Sequence, residues 1–201
     1  MAPGDKTLAL FDVDGTLTTA DTMFAFAAHA VGRGRMFAVM TLLAPLLVLA
    51  RLGLIDSGAA KGTMMRWFYA AKTRADLESA AEVFCQEVLP RLLRPKGLAR
   101  LRKHRDDGDT VLLVSASLDL WLRPFAEAEG IPLHATPTGW SQGRFTGLGG
   151  PNCRGPEKVR RIRAVLDPDG FTHIDAYGDS SGDTEMLALA HAAHFKPFRN
   201  G

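Results

Sequence analysis

Cysteine is scarce in this chain of 201 residues, which holds only Cys85 and Cys153. The two lie far apart and neither belongs to a zinc-ligand spacing, so we expect reduced thiols in a cytosolic protein. Residues 1–6 also lack the charged and then apolar run of a secretory signal, so we expect no such leader.

An excess of charge of one sign is absent as well. The formal net charge is +2, and basic and acidic residues are mixed along the chain, which gives no basis for nucleic acid as a partner. Apolar residues make up 46% and charged residues 23%, which is typical of a globular protein with a hydrophobic core. The length fits one domain with a modest insertion.

Two common catalytic signatures are missing. The chain has no Gly-x-Ser-x-Gly elbow, and no histidine is predicted beside a serine at the end of a strand, which excludes a serine hydrolase. It has no Gly-Lys-Ser or Gly-Lys-Thr, which excludes a P-loop. We interpret the following histidines as surface groups or hydrogen-bonded core groups: His104, His134, His173, His191 and His194.

Three short apolar runs are typical of buried strands, at residues 7–11, 110–114 and 173–177. Helical stretches separate them, and this alternation predicts a doubly wound α/β fold with a parallel sheet. A further strand is predicted around 193–195, and an irregular hairpin around 136–146.

Two of the helices carry clear end signals. Pro156 directly follows Gly155, which predicts that a helix begins there. Gly130 predicts the end of a helix that begins near Leu118.

About a hundred residues separate the first two strands, far more than a crossover needs. Apolar residues recur there at helical spacing from Met23 onward, and again after a candidate N-cap at Thr73. We predict a helical cap over residues 20–92 and an α/β core formed by residues 1–19 and 93–201.

Oxygen-bearing side chains follow three of the predicted strands. Asp12, Ser115 and Asp179 each come directly after an apolar run. Because ligands of an open parallel sheet bind beyond the carboxyl ends of its strands, we expect these side chains to converge at one edge.

The first group is Asp12-Val13-Asp14-Gly15-Thr16. Its two carboxylates can point into one site, with Gly15 allowing a sharp turn. The alternative is an ordinary turn, since Asp-Gly is a common turn dipeptide.

The second group lies at residues 178–183, where Asp179 and Asp183 are four positions apart. Asp183 has an alternative role as the N-cap of a helix that opens there. Several carboxylates together repel one another unless a cation neutralises them, and oxygen ligands without His or Cys indicate Mg²⁺ rather than zinc. The candidate metal ligands are Asp12, Asp14, Asp179 and Asp183.

The third group suits a transferring phosphoryl group. Ser115 offers a hydroxyl, Lys158 offers an ammonium, and Ala116 and Gly15 are the candidates for backbone N–H donors. Taken singly, Lys158 is more often a solvated surface lysine and Ser115 a turn residue.

Together these groups resemble the motifs of the haloacid dehalogenase superfamily of phosphatases, which has a Rossmann-like core. The motifs stand in the family's order, at residues 12–17, Ser115, Lys158 and residues 178–183. The helical insertion is similar to the cap of the phosphoserine-phosphatase-like branch, subfamily IB.

Three further segments resemble a bacterial subgroup of that branch, which includes phosphatidylglycerophosphate phosphatases. They are residues 114–117, 145–147 and 152–158.

The resemblance implies a magnesium-dependent phosphomonoester hydrolase. Asp12 would attack phosphorus and form an aspartyl-phosphate, while Asp14 would protonate the leaving alkoxide and later activate water. Mg²⁺ would be bound by the Asp12 carboxylate, the Asp14 backbone carbonyl and Asp179, with Asp183 acting directly or through water.

The resemblance also assigns the remaining residues of the motifs. Ser115 and Lys158 would hold the phosphoryl oxygens, and Thr16 would help to order the loop.

The substrate is less well defined by the resemblance. Asp21 stands where phosphoserine phosphatases use a cap Glu, Gly182 stands where they carry an Asn, and Arg66 is the candidate for their cap arginine. Phosphoserine, or another small phosphorylated metabolite, is therefore an alternative to a lipid phosphate. A phosphotransferase and a non-catalytic phosphate-binding or membrane-docking module are further alternatives, the last of which has no need of Asp14.

Residues 36–54 are almost wholly apolar and are flanked by Arg33, Arg35 and Arg51. Three interpretations stay open: a buried cap helix, a helix on a membrane surface, and a borderline span that Pro45 would kink. On the second interpretation, the protein is cytoplasmic, contacts the inner face of the membrane and acts on a lipid phosphate such as phosphatidylglycerophosphate. The oligomeric state is left open.

Overall fold

The structure is a computed structural model that describes residues 6–199. Its main sheet has five parallel strands in the order β3-β2-β1-β6-β7, and β4 and β5 form a separate antiparallel hairpin. The strands are β1 (Thr7–Phe11), β2 (Thr110–Leu118), β3 (Leu133–Thr136), β4 (Thr138–Ser141), β5 (Arg144–Leu148), β6 (His173–Gly178) and β7 (Ala192–Phe195).

Helices cover both faces of the sheet, and the predicted doubly wound α/β class is confirmed. The helices are α1 (Thr22–Val31), α2 (Arg33–Leu42), α3 (Ala44–Arg51), α4 (Ser57–Tyr69), α5 (Arg74–Val83), α6 (Leu89–Leu92), α7 (Pro95–Asp106), α8 (Asp119–Glu129), α9 (Pro156–Val165) and α10 (Thr184–Leu187).

The alternation of side chains along β1 explains the two layers of helices. Leu8 and Leu10 point to one face, where they pack with residues of α9 and α10. Ala9 and Phe11 point to the other face, where they join a larger core with α7, α8 and the inserted helices. All four are fully buried, as expected for a parallel strand covered on both faces.

Most predicted element ends agree with the structure. Helix α9 begins at Pro156, and α8 ends at Gly130, whose left-handed backbone (φ 67°) is the usual stop for a helix. The predicted end of the second strand is wrong, because β2 continues past Val114 to Leu118 through a shift in register. Ser115 therefore lies inside the strand rather than directly after it.

The insertion between β1 and β2 is helical, as predicted. Asp21 caps α1 by accepting the N–H of Met23, and Thr73 forms a capping box with Asp76 at the start of α5. A π-type turn at Phe84–Val88 follows α5 directly. The boundaries at 19/20 and 92/93 stay a prediction.

The insertion packs on the core through aromatic rings. Phe26 of α1 stacks on Trp121 of α8, with ring centroids 5.0 Å apart, and within the insertion it meets Phe84 edge-on at 5.4 Å. Tyr69 of α4 meets Phe145 of the hairpin at 5.2 Å. Buried aromatic contacts of α1 and α4 therefore fix the cap to the core.

The apolar segment at residues 36–54 forms α2 and α3, which meet at Leu43. The buried-helix interpretation is wrong for α3, which contains no buried residue, and holds only for Met36 and Val39 of α2. Pro45 lies in the first turn of α3, where its missing N–H leaves no hydrogen bond unmade.

Several large apolar side chains of this segment face solvent. Leu54, for example, is 68% exposed, and the set comprises Phe37, Leu42, Val48, Leu49, Leu52 and Leu54. Among residues 6–199, each helix taken singly is too short or too polar to cross a bilayer, and α2 with α3 passes that test only as a pair bent by 63°.

Candidate active site

The carboxyl ends of β1 and β6 bring the predicted acidic residues together. Asp12 directly follows β1 and Asp179 directly follows β6, at the point where the chain switches from one side of β1 to the other. Oxygen atoms of Asp12, Asp179 and Asp183 all lie within 4.8 Å of one another. Asp12 and Asp179 therefore converge as predicted, and Asp183 joins them.

Asp12 lies at the bottom of this site and is 5% exposed. Its Oδ1 accepts from Lys158 Nζ at 2.6 Å, and its Oδ2 accepts from Thr16 Oγ1 at 2.9 Å. Burial raises the pKa of Asp12 to about 7, against the lowering effect of Lys158 and with help from the charge of Asp183. The protein thus holds a carboxylate whose charge is incompletely compensated.

Lys158, in the first turn of α9, is fully buried, so the surface-lysine alternative is wrong. Its ammonium donates to Asp12, to Asp183 Oδ1 at 2.6 Å and to the Val114 carbonyl at 2.7 Å. Burial opposes the charge on this group, but Asp12 and Asp183 outweigh burial and hold the pKa of Lys158 well above its usual value.

Asp183 stands at the N-cap position of α10, as the alternative predicted, but its side chain makes no capping hydrogen bond to that helix. Its Oδ2 accepts from the backbone N–H groups of Asp179 and Ser180, at 3.1 and 3.0 Å, and so caps the short turn that precedes α10. Its Oδ1 meanwhile faces Lys158 inside the site. These hydrogen bonds hold the Asp183 carboxylate next to Asp12 and Asp179.

Asp179 has a partner that the sequence did not indicate. Arg199 donates to Asp179 Oδ2 at 2.7 Å, from the far end of the chain. Burial and the charge of Asp183 raise the pKa of Asp179, and Arg199 opposes that rise. Gly15 lies directly against this carboxylate: its φ is 79°, and a Cβ there would stand 2.3 Å from Asp179 Oδ2.

Asp14 is held by neutral donors rather than by a cation. Its Oδ1 accepts the backbone N–H of Thr22 at 2.7 Å, and its Oδ2 accepts the Ser117 hydroxyl at 2.5 Å. Thr22 is the first residue of α1. The carboxylate therefore sits between the core and the insertion.

Ser115 and Ala116 lie at the same edge, next to Asp14. The Ser115 hydroxyl is buried, lies 3.5 Å from Asp14 Oδ2 and accepts the N–H of Ser117 at 3.0 Å. Ala116 lines the cavity that contains Asp12. The N–H of Gly15 donates to Thr18 Oγ1 at 3.2 Å, so its role as a phosphate donor stays a prediction.

Lys61 of α4 reaches the site from the insertion, and the sequence carried no local signal for it. Its ammonium donates to the Ala116 carbonyl at 2.7 Å. Burial lowers the pKa of Lys61, against the opposing charges of Asp21 and Asp14. Partial removal of water by the surrounding protein and the negative charge of Asp14 raise the pKa of Asp21 to about 6. Much of the Asp21 surface is nevertheless exposed.

Two cavities adjoin at this edge of the sheet. The smaller, of about 100 Å³, contains Asp12, Asp14 and Lys158. The larger, an open cleft of about 830 Å³, runs between α4 and residues 146–156. Arg66 lines only the cleft, whereas Arg154, which the sequence did not single out, lines both cavities.

The histidines and cysteines lie outside this chemistry, as predicted. His104 is buried and hydrogen-bonded to Asp109 at 2.7 Å and to the Tyr177 hydroxyl at 2.9 Å. Cys85 and Cys153 are both free thiols.

The acidic cluster has the chemistry of a magnesium site. Its donors are all oxygen atoms, its three carboxylates outnumber the single buried ammonium of Lys158, and burial raises the pKa values of Asp12 and Asp179. A hard divalent cation would relieve that excess of negative charge. The residues therefore fit the predicted metal.

A family model described as haloacid dehalogenase-like hydrolase matches residues 9–188. Among curated proteins, the chain is similar to Protein CicA of Caulobacter vibrioides, with 40% identity over 96% of this chain and 86% of that protein. It is also similar to a probable phosphatase of Mycobacterium tuberculosis, with 28% identity over 98% of this chain and 71% of that protein.

Solved structures share the fold. A protein of unknown function from Bordetella pertussis matches with a TM-score of 0.80 and 26% identity, over 92% of this chain and 87% of that chain. A phosphoserine phosphatase captured as an analogue of its phospho-aspartyl intermediate matches with a TM-score of 0.65 and 19% identity, over 92% of this chain and 84% of its own.

Proposed function

This chain belongs to the haloacid dehalogenase-like hydrolases, and on that premise we propose that it is a phosphatase that cleaves phosphate monoesters through Asp12. The observation that carries the proposal is the different setting of two neighbouring aspartates. Asp12 is buried against the ammonium of Lys158, whereas Asp14 is held by an amide and a hydroxyl beside the cap. The first setting suits a nucleophile and the second an acid–base group.

In the first step, a carboxylate oxygen of Asp12 attacks phosphorus, and the bond from phosphorus to the alcohol oxygen breaks. Asp14 gives a proton to that oxygen, so the alcohol leaves uncharged and Asp12 carries the phosphoryl group. Lys158 and the Ser115 hydroxyl lie beside Asp12 and Asp14, where they can donate to the phosphoryl oxygens.

In the second step, a water molecule attacks the same phosphorus from the side that the alcohol has left. Asp14, now ionised, takes a proton from the water, and the bond from phosphorus to the Asp12 oxygen breaks. Inorganic phosphate leaves, and both aspartates return to their starting states.

Mg²⁺ would be held by the carboxylates of Asp12 and Asp179 and by the backbone carbonyl of Asp14, with Asp183 bound directly or through water. When bound, it supplies the positive charge that lets an anionic carboxylate approach an anionic phosphate. Arg199 donates to Asp179 Oδ2, the same oxygen that lies nearest Gly15, and so supports that carboxylate.

For the substrate, we propose a lipid phosphate of the phosphatidylglycerophosphate type. The exposed apolar side chains of α2 and α3 support this, because lipid tails are a natural partner for such a surface. Leu54 stands two residues before Asp56, which lines the large cleft, so the apolar segment leads directly to the entrance of the site. On this proposal the protein is cytoplasmic and contacts the inner face of the membrane.

Phosphoserine is the alternative substrate. The fold that the chain shares with phosphoserine phosphatases supports it, and the carboxylate of Asp21 stands near Asp14 and Lys61, where a substrate ammonium could bind.

Two measurements test the proposal. The purified protein should hydrolyse p-nitrophenyl phosphate with Mg²⁺ and release inorganic phosphate; no turnover under any divalent cation would rule out the phosphatase. Added acceptor alcohols should not divert the phosphoryl group, and a product ester would make it a phosphotransferase.

The substrate is tested by comparing phosphatidylglycerophosphate in detergent micelles with free phosphoserine. A higher kcat/KM for the lipid is the expected result. A preference for phosphoserine would reject the lipid substrate and leave the phosphatase chemistry intact.

A further inference from the structure

Arg154 lies at the junction of the two cavities. It lines the small cavity with Asp12 and Lys158, and it lines the large cleft on the opposite side from α4. Because Arg154 lines both cavities, the large cleft adjoins the small one, and a phosphate bound at Asp12 would have room there for its alcohol part. Arg154 would then contact the substrate between its phosphate and the rest of its alcohol.

The position of Arg154 is set by Gly182. A Cβ at Gly182 would lie 2.9 Å from Arg154 Cγ and 3.0 Å from Nε, so any side chain there would displace the arginine. The guanidinium also donates to the Ser181 hydroxyl at 2.9 Å. Gly182 thus provides the space in which Arg154 lies along the edge of the site.

The lining of the cleft carries two arginines, Arg66 and Arg154, and one carboxylate, Asp56. Within residues 6–199, the hydrogen-bond partners of Arg154 and Arg66 are hydroxyls, those of Ser181 and Thr63, and neither arginine forms an ion pair. The acidic residue of the cleft, Asp56, is engaged in capping α4, where it accepts the N–H of Ala59 at 2.7 Å. The arginines of the cleft therefore outnumber its carboxylate, beside the small cavity that contains Asp12.

We propose that this cleft is a subsite for a second anionic group, and that Arg154 selects substrates whose alcohol part carries its own acid. This inference rests on the proposed phosphatase function and narrows its substrate class to phosphate monoesters with a carboxylate or a phosphodiester on the alcohol. Arg154 is the residue nearer the phosphate, and Arg66 lies on the opposite wall of the cleft.

The test uses three soluble esters that share one carbon skeleton. Glycerol 3-phosphate has a neutral alcohol, 3-phosphoglycerate adds a carboxylate, and glycerol 3-phosphate bearing a methyl phosphodiester at carbon 1 adds a second phosphorus acid. With saturating Mg²⁺, we expect kcat/KM for at least one of the two acidic esters to exceed that for glycerol 3-phosphate by roughly 10- to 100-fold.

The two acidic esters also separate the sources of the anion. A preference for the phosphodiester supports a lipid headgroup, and a preference for the carboxylate supports a small metabolite; both support the subsite. Equal kcat/KM for all three esters would overturn it.

Substitutions assign the preference to Arg154. In Arg154→Gln, the ratio of kcat/KM for the preferred acidic ester to that for glycerol 3-phosphate should fall about tenfold. The control is Arg160→Gln, at an exposed arginine of helix α9, which should leave this ratio as in wild type. Gly182→Ala keeps the arginine but moves it, and it should lower the preference too. An undiminished preference in folded Arg154→Gln would overturn the assignment.

Failure of this inference differs visibly from failure of the proposed function. Turnover of p-nitrophenyl phosphate with no preference among the three esters rejects only the subsite. No turnover of any phosphate ester rejects the phosphatase itself.

Discussion

The Ser117 hydroxyl donates to Asp14 Oδ2 at 2.5 Å, and this bond is the end of a buried chain of donors. The indole N–H of Trp121 donates to Thr22 Oγ1 at 2.9 Å, and the Thr22 hydroxyl lies 3.3 Å from Ser117 Oγ. Since the single Ser117 proton is donated to Asp14, the Thr22 hydroxyl is the donor in its contact with Ser117. One residue of the cap and two of the core thus orient Asp14 together.

Replacing Ser117 with Ala should impair proton transfer to the leaving group more than it impairs binding. Asp14 would keep the amide of Thr22 but lose the hydroxyl that fixes its second oxygen. We expect kcat to fall roughly 10-fold or more for alkyl phosphates, whose alkoxides need the proton, and less for p-nitrophenyl phosphate.

The ratio of the two rates distinguishes positioning from a general loss of structure. A variant that was merely less stable would lose both activities equally. Ser79→Ala, at an exposed serine of α5, is the matched control and should leave the ratio unchanged.

Replacing Asp12 with Asn should abolish turnover and leave the protein folded. The nucleophile is lost, so we expect kcat to fall by about a thousandfold or more. The melting temperature should change by only a few degrees, because burial already disfavours the charge of Asp12. Acid-quenched mixtures with a ³²P-labelled aryl phosphate should label wild type alone; label retained in the variant would place the nucleophile elsewhere.

Magnesium should stabilise the folded protein through Asp179. At a hundred times its dissociation constant, a ligand adds about 2.7 kcal/mol, which should raise the melting temperature by roughly 5–10 °C. Asp179→Asn should remove most of that rise, and Asp169→Asn, an exposed aspartate paired with Arg163, should keep it. An equal rise in both variants would contradict a metal site at Asp179.

Glu157 should stabilise the protein at neutral pH and lose that effect in acid. The two hydrogen bonds from Arg160 and the one from Arg161 lower the pKa of Glu157 from 4.5 to about 2, against the effect of burial. A depressed carboxyl pKa contributes stability above pH 4.5 that disappears as the pH falls toward 2. Since Arg160 is largely exposed, we expect a contribution of about 1 kcal/mol to the free energy of unfolding.

Urea unfolding of wild type and Glu157→Gln measures this contribution. The difference between their free energies of unfolding should equal the whole contribution of the charged Glu157 at pH 7. At pH 3.5 the difference should be clearly smaller. Glu78→Gln, at an exposed pair with Arg74, should show little gap at either pH. A Glu157 gap that grew as the pH fell would contradict the assigned direction.

The apolar surface of α2 and α3 should bind anionic vesicles. We expect the protein to float with phosphatidylglycerol vesicles and the double variant Leu52→Ser/Leu54→Ser to bind about tenfold more weakly, since both side chains are exposed in the folded protein. Val165→Ser, at an exposed valine of α9, is the control. A wild-type protein that stays at the bottom of the gradient would reject membrane contact.

The sequence predicted the acidic edge of the sheet well because its signals are local. Asp12 and Asp179 each follow an uninterrupted apolar strand, and the parallel order of the sheet then brings the two strand ends together. The end of β2 was missed because Ser115 and its small neighbours resemble a turn, whereas pairing with β3 keeps them in the strand.

The partners of the acidic residues could not be predicted in this way. Lys61, Arg154 and Arg199 each meet the site from another element, and a solvated surface role fits each of them equally well in the sequence. Only folding brings Arg199 to Asp179, across 20 positions of the chain.

The apolar segment was ambiguous for a different reason. By composition, Leu42 and Leu54 are typical of core residues, yet both are exposed in the folded protein. Hydrophobicity alone does not distinguish a helix buried in the protein from a helix that contacts a membrane or another protein.

The two segments that connect the insertion to the core run side by side. The Thr19 N–H donates to the Leu92 carbonyl at 2.8 Å. A short turn could therefore join residue 19 to residue 92 without disturbing the sheet. The shortened protein would, however, uncover the indole of Trp121 and leave Asp14 without the Thr22 amide. The insertion could thus be removed without breaking the sheet, but the active site needs it to cover Trp121 and to hold Asp14. Exchange for another cap is therefore favoured over deletion.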